Sequence, residues 1–524
     1  MGHIFSRRLL GFAVLVGAPH LTSAQTPPAT PPPSQTIAAA TDISLSEFVA
    51  QLRSSNQTIL NKRNEADLVG TGVQRAAAIY DPMAVVSASR SKLTQKSTYE
   101  EAASRGQANP DDIYWRESHD YSFALTQLAP TGAKIEAKTT LSSFFSSIDD
   151  YALDKGLDTN RPLGAKNHRG LVSLTLTQPL MRDAGYAVTN ARRRVAEIDG
   201  RAAMASGRET EASVVAEGMM GYYDLILAAE KERAALGRVQ MAERLLKEAE
   251  QLSRGGRLSQ AEVWEVQSAL DRYRSSHSEM KQARIDRGNR MLTMVMRSSE
   301  GLAGGLRPTD ALPSDAKPVD ADLEALVKIA KDRRYDLSRS KAQLEREGVQ
   351  LIFAENQTLP RVDLVASYGT NGLEYDPKRA LSLPNTKDYP TWSVGLQVTV
   401  PIGNRLARSD LAAADVRQRD AALNLRAMEI AITNEVDTSL RFRQSALERW
   451  LAWRTAAERE ARALEIERAK FAAGRSDIRE VLLREERALN ARISALEQQT
   501  AYAKAGVLLE VAQGILLDRF PKAD

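Results

Sequence analysis

The sequence predicts an α+β membrane protein in which the strands of a transmembrane β-barrel continue into a long α-helical coiled-coil barrel, with two internal repeats in one chain. Three observations carry that expectation. "LVSLTLTQPLMRDAG" (Leu171 to Gly185) and "WSVGLQVTVPIGNR" (Trp392 to Arg405) each alternate with period two, stop at a proline (Pro179, Pro401) and lead into a long helical pattern. In the second, Trp392, Val394, Leu396, Val398 and Val400 share one face, while Ser393, Gly395, Gln397 and Thr399 share the other, as in a strand between two media. The helices are too long for a globular domain, and the order of elements is written twice.

Taken in order, Met1 to Ala24 has a basic start (Arg7, Arg8), an apolar run and a small-residue exit, which reads as a secretory signal peptide, residues 1–24. Residues 25–41 form a stiff proline-rich linker around "TPPATPPPSQT". The first repeat is expected over 42–300, a linker at the equatorial region over 301–321, the second repeat over 322–516 and a tail over 517–524. Without gaps, Leu45 aligns with Leu323 and Pro82 with Pro360, both 278 apart; later, Gly256 aligns with Gly474 and Val263 with Val481, both 218 apart.

Helices are expected from Asp42 to Tyr80, Leu180 to Ser253, Ser259 to Ser298, Asp322 to Thr358, Ile402 to Phe471 and Asp477 to Leu516. The second would reach roughly 110 Å at 1.5 Å per residue. Each long helix would descend, turn at glycines and climb back as two stacked shorter ones, so both termini would fall at mid-height. Ile432, Val436, Leu440, Leu447 and Leu451 give the coiled-coil spacing of a packing seam. Proline suits each hand-over because it lacks the N–H a ladder needs while its fixed φ suits a first helical turn, so Pro82, Pro179, Pro360 and Pro401 are the expected strand–helix swivels.

Besides the two quoted strands, the first half offers Ala84 to Ser91, "DYSFALTQL" and "AKIEAKTTLSSF", and the second "RVDLVASYG". Their length, alternation and terminal aromatics (Tyr114, Trp115, Tyr389, Trp392) suit a transmembrane barrel. Six strands cannot close one, so the barrel must be shared between chains.

Several classes are excluded. Cysteine is absent, which removes disulfides, thiolate metal sites and a lipidated cysteine. A formal charge of +4, about +2 without the two leader arginines, is no nucleic-acid footprint. His119, His168 and His277 stand far apart in sequence and outside any HExxH pattern, and "EGLAGGLRP" lacks the GK[ST] of a phosphate loop, so no enzyme, metal site or cofactor is expected. A periplasmic coiled-coil adaptor or a structural envelope protein is the alternative; the first would show one hairpin with soluble β domains, and the second would lack amphipathic strands.

"LTQPLMRDAGYAVTNARRRVAEID", "GYYDLILAAEKE", "GGRLSQAEV", "VTVPIGNRLARSDLAAADVRQRDAA" and "FAAGRSDIREVLLREERAL", in that doubled order, resemble the TolC-like outer-membrane efflux protein family over Asp42 to Leu516. The resemblance implies a homotrimer in the outer membrane with a large periplasmic portion. It implies one shared β-barrel and one helical tunnel, meeting a periplasmic adaptor protein and an inner-membrane efflux pump or ABC secretion transporter. It also implies a periplasmic gate, here Glu262, Glu265, Phe471, Arg475 and Glu480; within it a Glu262–Arg475 pair is expected to hold the closed state, although Arg475 lies one residue from the family's basic position. Phe471 stands where the family has a tyrosine, Ser476 where it has a basic residue and Leu483 where it has a second acid. The hairpin tips, with Arg254, Gly255, Gly256, Arg257, Gly474, Arg475 and Ser476, are the expected adaptor-docking surface. The family has two strands per half, whereas four are expected in this first half. The extra pair either spans the membrane, making eighteen strands in a trimer, or stands above a twelve-stranded barrel.

Overall fold

The computed structural model of the protein describes residues 41–106, 113–158, 162, 165–298, 306–315, 322–382 and 389–520. The signal peptide, nearly all of the proline-rich linker, part of the 301–321 linker and the last four residues of the tail lie outside the described residues.

In chain order the elements are β1 (Thr41–Ile43), α1 (Leu45–Ser55), α2 (Gln57–Ala77), β2 (Met83–Lys96), α3 (Tyr99–Ala103), β3 (Ile113–Leu128), β4 (Lys134–Ser146), α4 (Ser147–Asp154), β5 (Asn167–Pro179), α5 (Tyr186–Thr189), α6 (Ala191–Arg254) and α7 (Gln260–Met294). There follow β6 (Leu306–Pro308), α8 (Leu323–Arg333), α9 (Tyr335–Gln357), β7 (Arg361–Glu374), α10 (Pro377–Ser382), β8 (Pro390–Thr399), α11 (Arg405–Ala472) and α12 (Ile478–Ala512). The 64 residues of α6 and 68 of α11 make rods of about 100 Å.

One expected helix boundary and the continuity of two expected helices are corrected. The first long helix begins at Ala191 rather than Leu180, because β5 runs through Pro179 and the chain then turns at Asp183 and Gly185, both at positive φ. Each upper helix is broken once. Asn56 leaves the helical region at ψ 127° and its Oδ1 accepts from the Thr58 and Ile59 amides, starting α2; Arg334 leaves at ψ 130° and starts α9.

The six long strands form one antiparallel sheet in the order β2-β3-β4-β5-β7-β8. Its base is level with the helix ends: Met83 pairs with Thr126, Leu128 with Lys134, Pro179 with Asp363 and Arg361 with Thr399. The strands are longer than their alternation predicts, β2 reaching Lys96 instead of Ser91. All four prolines sit at or beside the sheet's base: Pro179 ends β5, Pro82 and Pro360 precede β2 and β7, and Pro401 lies between β8 and α11.

The largest apolar cluster lies where α1, α6, α7 and α12 meet. Phe48, Leu52, Met219, Tyr222, Leu225, Met291 and Leu516 are each almost wholly buried there, a contribution of about 1.5–3 kcal/mol for each large apolar side chain. Ile43 and Leu306 join it from a small parallel sheet, β1 with β6. The Tyr222 hydroxyl lies 2.9 Å from Ile43 O and 2.7 Å from Asp310 Oδ2, its one proton placed between the two acceptors, and ties that sheet to the middle of α6.

Candidate functional site

Two regions carry features that packing alone does not require, the outer face of the sheet and the hairpin tips. Register fixes which side chains share a face of the sheet, since directly paired residues point the same way. Phe123 pairs with Val86, Leu125 with Ala137, Ile135 with Leu176, Leu174 with Tyr368, and Tyr368 with Trp392. Leu125, Leu174, Trp392, Val394, Leu396 and Val398 are all exposed. One face is therefore a continuous apolar surface that, among the described residues, nothing covers over most of its height. The opposite face carries Ser87, Ser122, Glu136, Lys138, Ser173, Ser367 and Ser393, with Ser87 bonded to Ser122 and Ser367 to Ser393 at 2.7 Å. Of the expected terminal aromatics, Trp115 and Trp392 fall on the apolar face. Tyr114 does not: it is buried on the other face, one residue out of phase.

The β3–β4 hairpin belongs to this sheet along its length. Its turn closes with Ala129 N–H to Ala133 O at 2.7 Å, and Gly132 takes φ +91°. A Cβ on Gly132 would lie 2.6 Å from Asp183 O, and the Gly185 N–H donates to Thr131 O. The turn is thus seated on the link between β5 and α6, at the level where the other strands meet the helices.

At the far end of the helices the two tips repeat one geometry. Gly256 (φ +72°) and Gly474 (φ +68°) are the left-handed residues; Arg257 N–H donates to Leu252 O at 2.9 Å and Arg475 N–H to Lys470 O at 2.8 Å, the bonds of a Schellman stop. Arg254, Gly255, Arg257 and Arg475 are exposed. Ser476 donates to the Glu467 carboxylate, whose other oxygen meets Lys470 at 3.2 Å. Half-buried Phe471 packs into the apolar cluster of Leu245, Val263, Val266 and Ile478, inside its own chain.

The expected Glu262–Arg475 pair is not formed. Glu262 is the third residue of α7's capping box: its Oε2 accepts from the Ser259 N–H (2.8 Å) and hydroxyl (2.6 Å), which holds the carboxyl below its usual range. Near the tips the two hairpins are joined by an ion pair of Glu265 with Arg479, a two-pronged contact at 2.6 and 2.8 Å that lowers the Glu265 carboxyl and raises the Arg479 guanidinium; further up, Lys231 pairs with Glu497 and Lys504 with Asp224. Glu480 is taken by Arg484, one turn on, at 3.0 Å. Arg479 was not singled out from the sequence. Its signal was there: a cation in the first turn of a helix opposes the macrodipole unless something holds it. Trp264, 61% exposed beside Glu265, was also missed.

His119 and His168 prove to be neighbours in space, paired on either side of Ser143 across β3, β4 and β5, with Ser143 Oγ 2.6 Å from His168 Nδ1. Among the described residues no group of His, Cys, Asp or Glu has metal-binding geometry, and no helix is long and apolar enough to cross a membrane.

Residues 326–514 match the family model described as Outer membrane efflux protein. The fold is similar to that of the outer-membrane channel OprN (17% identity over 90% of this chain and 89% of that one, TM-score 0.60). It is also similar to the CmeC outer membrane channel of Campylobacter jejuni (14%, 90% and 86%, TM-score 0.60) and the outer membrane protein VceC of Vibrio cholerae (14%, 90% and 96%, TM-score 0.61). No curated protein matches the sequence.

Proposed function

We propose that the chain, whose residues 326–514 match the Outer membrane efflux protein model, is a member of that family and that three copies of it form one export conduit. The observation that carries this is the sheet: six strands with an exposed apolar face, a polar opposite face and two unpaired edges, β2 and β8. An open edge is not viable in hydrocarbon, where every backbone polar group must be paired within protein. β2 runs away from the helices and β8 toward them, so β8 of one copy meets β2 of the next antiparallel. Three six-stranded sheets then close as eighteen strands, a class of barrel wide enough for an aqueous channel. The β3–β4 hairpin is embedded in this reading, its turn level with the other strand ends, and the two halves count as two repeats.

Below the barrel, α6, α7, α11 and α12 of three copies make the tunnel wall. The tips face a periplasmic adaptor: the exposed arginines at Arg254, Arg257 and Arg475 supply polar contacts, and Trp264 the aromatic anchor favoured at the centre of interfaces. The inner-membrane transporter loads the conduit. The protein performs no chemistry on what passes.

The chain has no cysteine, so engineered pairs report cleanly. Ala84→Cys with Val398→Cys, at the base of the two edges, should give disulfide-linked trimers in the outer-membrane fraction and cost export activity little. A monomer in the soluble periplasmic fraction, never cross-linked, would overturn the reading.

A further inference from the structure

The apolar face of the sheet does not continue to its top. On the same face, above Tyr121 and Val86, register places Arg90 opposite His119, Lys92 opposite Glu117 and Thr94 opposite Trp115. Lys92, Trp115, Glu117, Phe145 and Lys166 line a shallow depression of about 470 Å³. Lys92 Nζ lies 3.2 Å from Glu117 Oε1 and Arg90 Nη2 3.8 Å from Glu117 Oε2, so one carboxylate holds both cations. Three cations face that single acid, and Arg90 and Lys92 keep 71% and 63% of their side-chain surface open. The floor is aromatic: Trp115 and Phe145 are 5.8 Å apart, with Lys92 5.9 Å from the Trp115 ring centre.

Height fixes what this depression meets. Lys92 is nine residues above Met83 and Glu117 eleven above Leu128, about 30 and 36 Å along their strands at ~3.3 Å per residue. A barrel tilt of about 40° brings these to roughly 23 and 28 Å, the upper edge of an apolar band about 25 Å tall. The aromatic pair sits at that edge, at the headgroup level; Phe145 is level with Lys92 and Glu117 in the register, Trp115 stands one pair higher and Arg90 one pair lower, so the long cationic side chains lie beside the rings and reach up to lipid phosphate. A separate element reaches the same rim on the same face. Gly170 has no Cβ, which would lie 2.0 Å from Ala380 O, and α10 therefore lies flat against β5 there, with Lys378 and Arg379 exposed.

We infer that Arg90, Lys92 and Lys166, oriented by Glu117 beside the Trp115–Phe145 pair, bind the phosphate of the phosphorylated glycolipid that forms the outer leaflet around this barrel. The inference rests on the membrane-spanning reading of the sheet. Glu117 spaces the cations, the rings bury against the acyl and sugar boundary, and the excess positive charge takes the anion.

The test uses the full-length trimer purified from the outer-membrane fraction into neutral detergent and then incubated with diphosphoryl lipid A, with its dephosphorylated form, or with inorganic phosphate as competitor. The triple variant Arg90→Gln, Lys92→Gln, Lys166→Gln should retain about tenfold less diphosphoryl lipid A than wild type, one decade of affinity. Lys138→Gln, on the opposite face, should retain as much as wild type. Equal retention by wild type and triple variant, or of both lipid forms by wild type, overturns the site. Displacement of the lipid by millimolar phosphate overturns it as a lipid site and leaves a plain anion site. Recovery of triple variant and wild type alike as heat-modifiable trimers keeps the membrane reading intact while the site is judged. Absence of wild type from the outer membrane overturns that reading and the site with it.

Discussion

Asn56 and Arg334 stand 278 residues apart and break the same helix in the two halves, each after an eleven-residue segment, by different chemistry. Asn56 is a cap: its Oδ1 accepts two amides and its Nδ2 donates to Met294 O at 2.7 Å. Arg334 is a fork, 2.6 Å from Asp336, 2.7 Å from Glu435 and 3.1 Å from Ala512 O, which ends α12. The helices on either side agree closely, 21 against 23 residues, 64 against 68, and 35 against 35, whereas the sheet takes four strands from the first half and two from the second. Helices that lie side by side along one wall must match in length, and the break must fall where the neighbouring helix ends. An antiparallel sheet has no such constraint, because a hairpin enters in its own plane and disturbs only the pairing beside it.

Truncating the two break residues should separate cap from fork. Arg334→Ala leaves the nearly buried Asp336 carboxylate without the partner that, against the opposing effect of burial, holds it below the usual range. The expected cost is about 3–5 kcal/mol. Asn56→Ala loses a cap, about 1 kcal/mol. Thermal dissociation of the purified trimer measures both. Equal losses would mean that the position of the break matters and its chemistry does not.

The sheet comparison has its own test. Phe123, in the extra hairpin, and Val394, in the second half, each lie five residues above the sheet base on the apolar face. If both strands cross the membrane, Phe123→Arg and Val394→Arg should each cost about 2–4 kcal/mol, read as loss of heat-modifiable trimer from the outer membrane. A silent Phe123→Arg beside a damaging Val394→Arg would place the hairpin outside the bilayer.

How much of this could be read beforehand follows the same division. Strand alternation, the four prolines and the tip glycines are local signals, and the strands, the base of the sheet and the hairpin turns fall at them, although α6 and α11 start several residues past Pro179 and Pro401. The top of β2 was missed because Arg90 to Lys96 leaves the apolar band and the alternation with it. The breaks at Asn56 and Arg334 were missed because no glycine or proline marks them; helical periodicity runs on while a side chain takes over the backbone bonds. The Glu265–Arg479 pair joins residues 214 positions apart, which only the packing of α7 against α12 can reveal.

Position 485 is a smaller asymmetry. In the 218-residue register, Glu485 of α12 matches Gln267 of α7, which is exposed, while Glu485 is 5% exposed beside α6 and α11. Burial pushes its carboxyl up to about 7, against the pull of Arg468 and Arg238. The folded protein therefore holds this proton where the unfolded chain has released it. The stabilising contribution is complete below the unfolded pKa, about 4.5, and is lost as pH rises through about 7. Glu485→Gln should remove that slope and stabilise the trimer at pH 8 by at most on the order of 3 kcal/mol. A melting temperature that still falls from pH 5 to pH 8 in the variant would assign the slope to another group.

At the tips the halves differ by complement. Glu265 matches Leu483, and Arg479 matches Ala261, so each half supplies one member of the Glu265–Arg479 contact and lacks the other. Glu262 and Glu480 match, yet one caps its own helix and the other pairs with Arg484. The Glu265–Arg479 contact therefore has no counterpart in the repeat, and in the proposed trimer three copies would repeat it around the tunnel mouth. Both side chains are open to solvent, so salt screens each contact and its single effect is small. In the proposed trimer the mouth would open only when all three release, which makes the threefold repeat the quantity that counts. Single-channel recording in bilayers should show Arg479→Ala and Glu265→Ala raising open probability severalfold at low salt and less at 1 M, with the double variant no further open than either single one. Arg475→Ala, whose side chain has no part in the pair, should leave gating unchanged. Glu262→Ala should fray the start of α7 and loosen gating only as far as Glu265 is displaced with it. If Arg475→Ala opens the channel and Arg479→Ala does not, the tips are held by a contact between copies rather than within one.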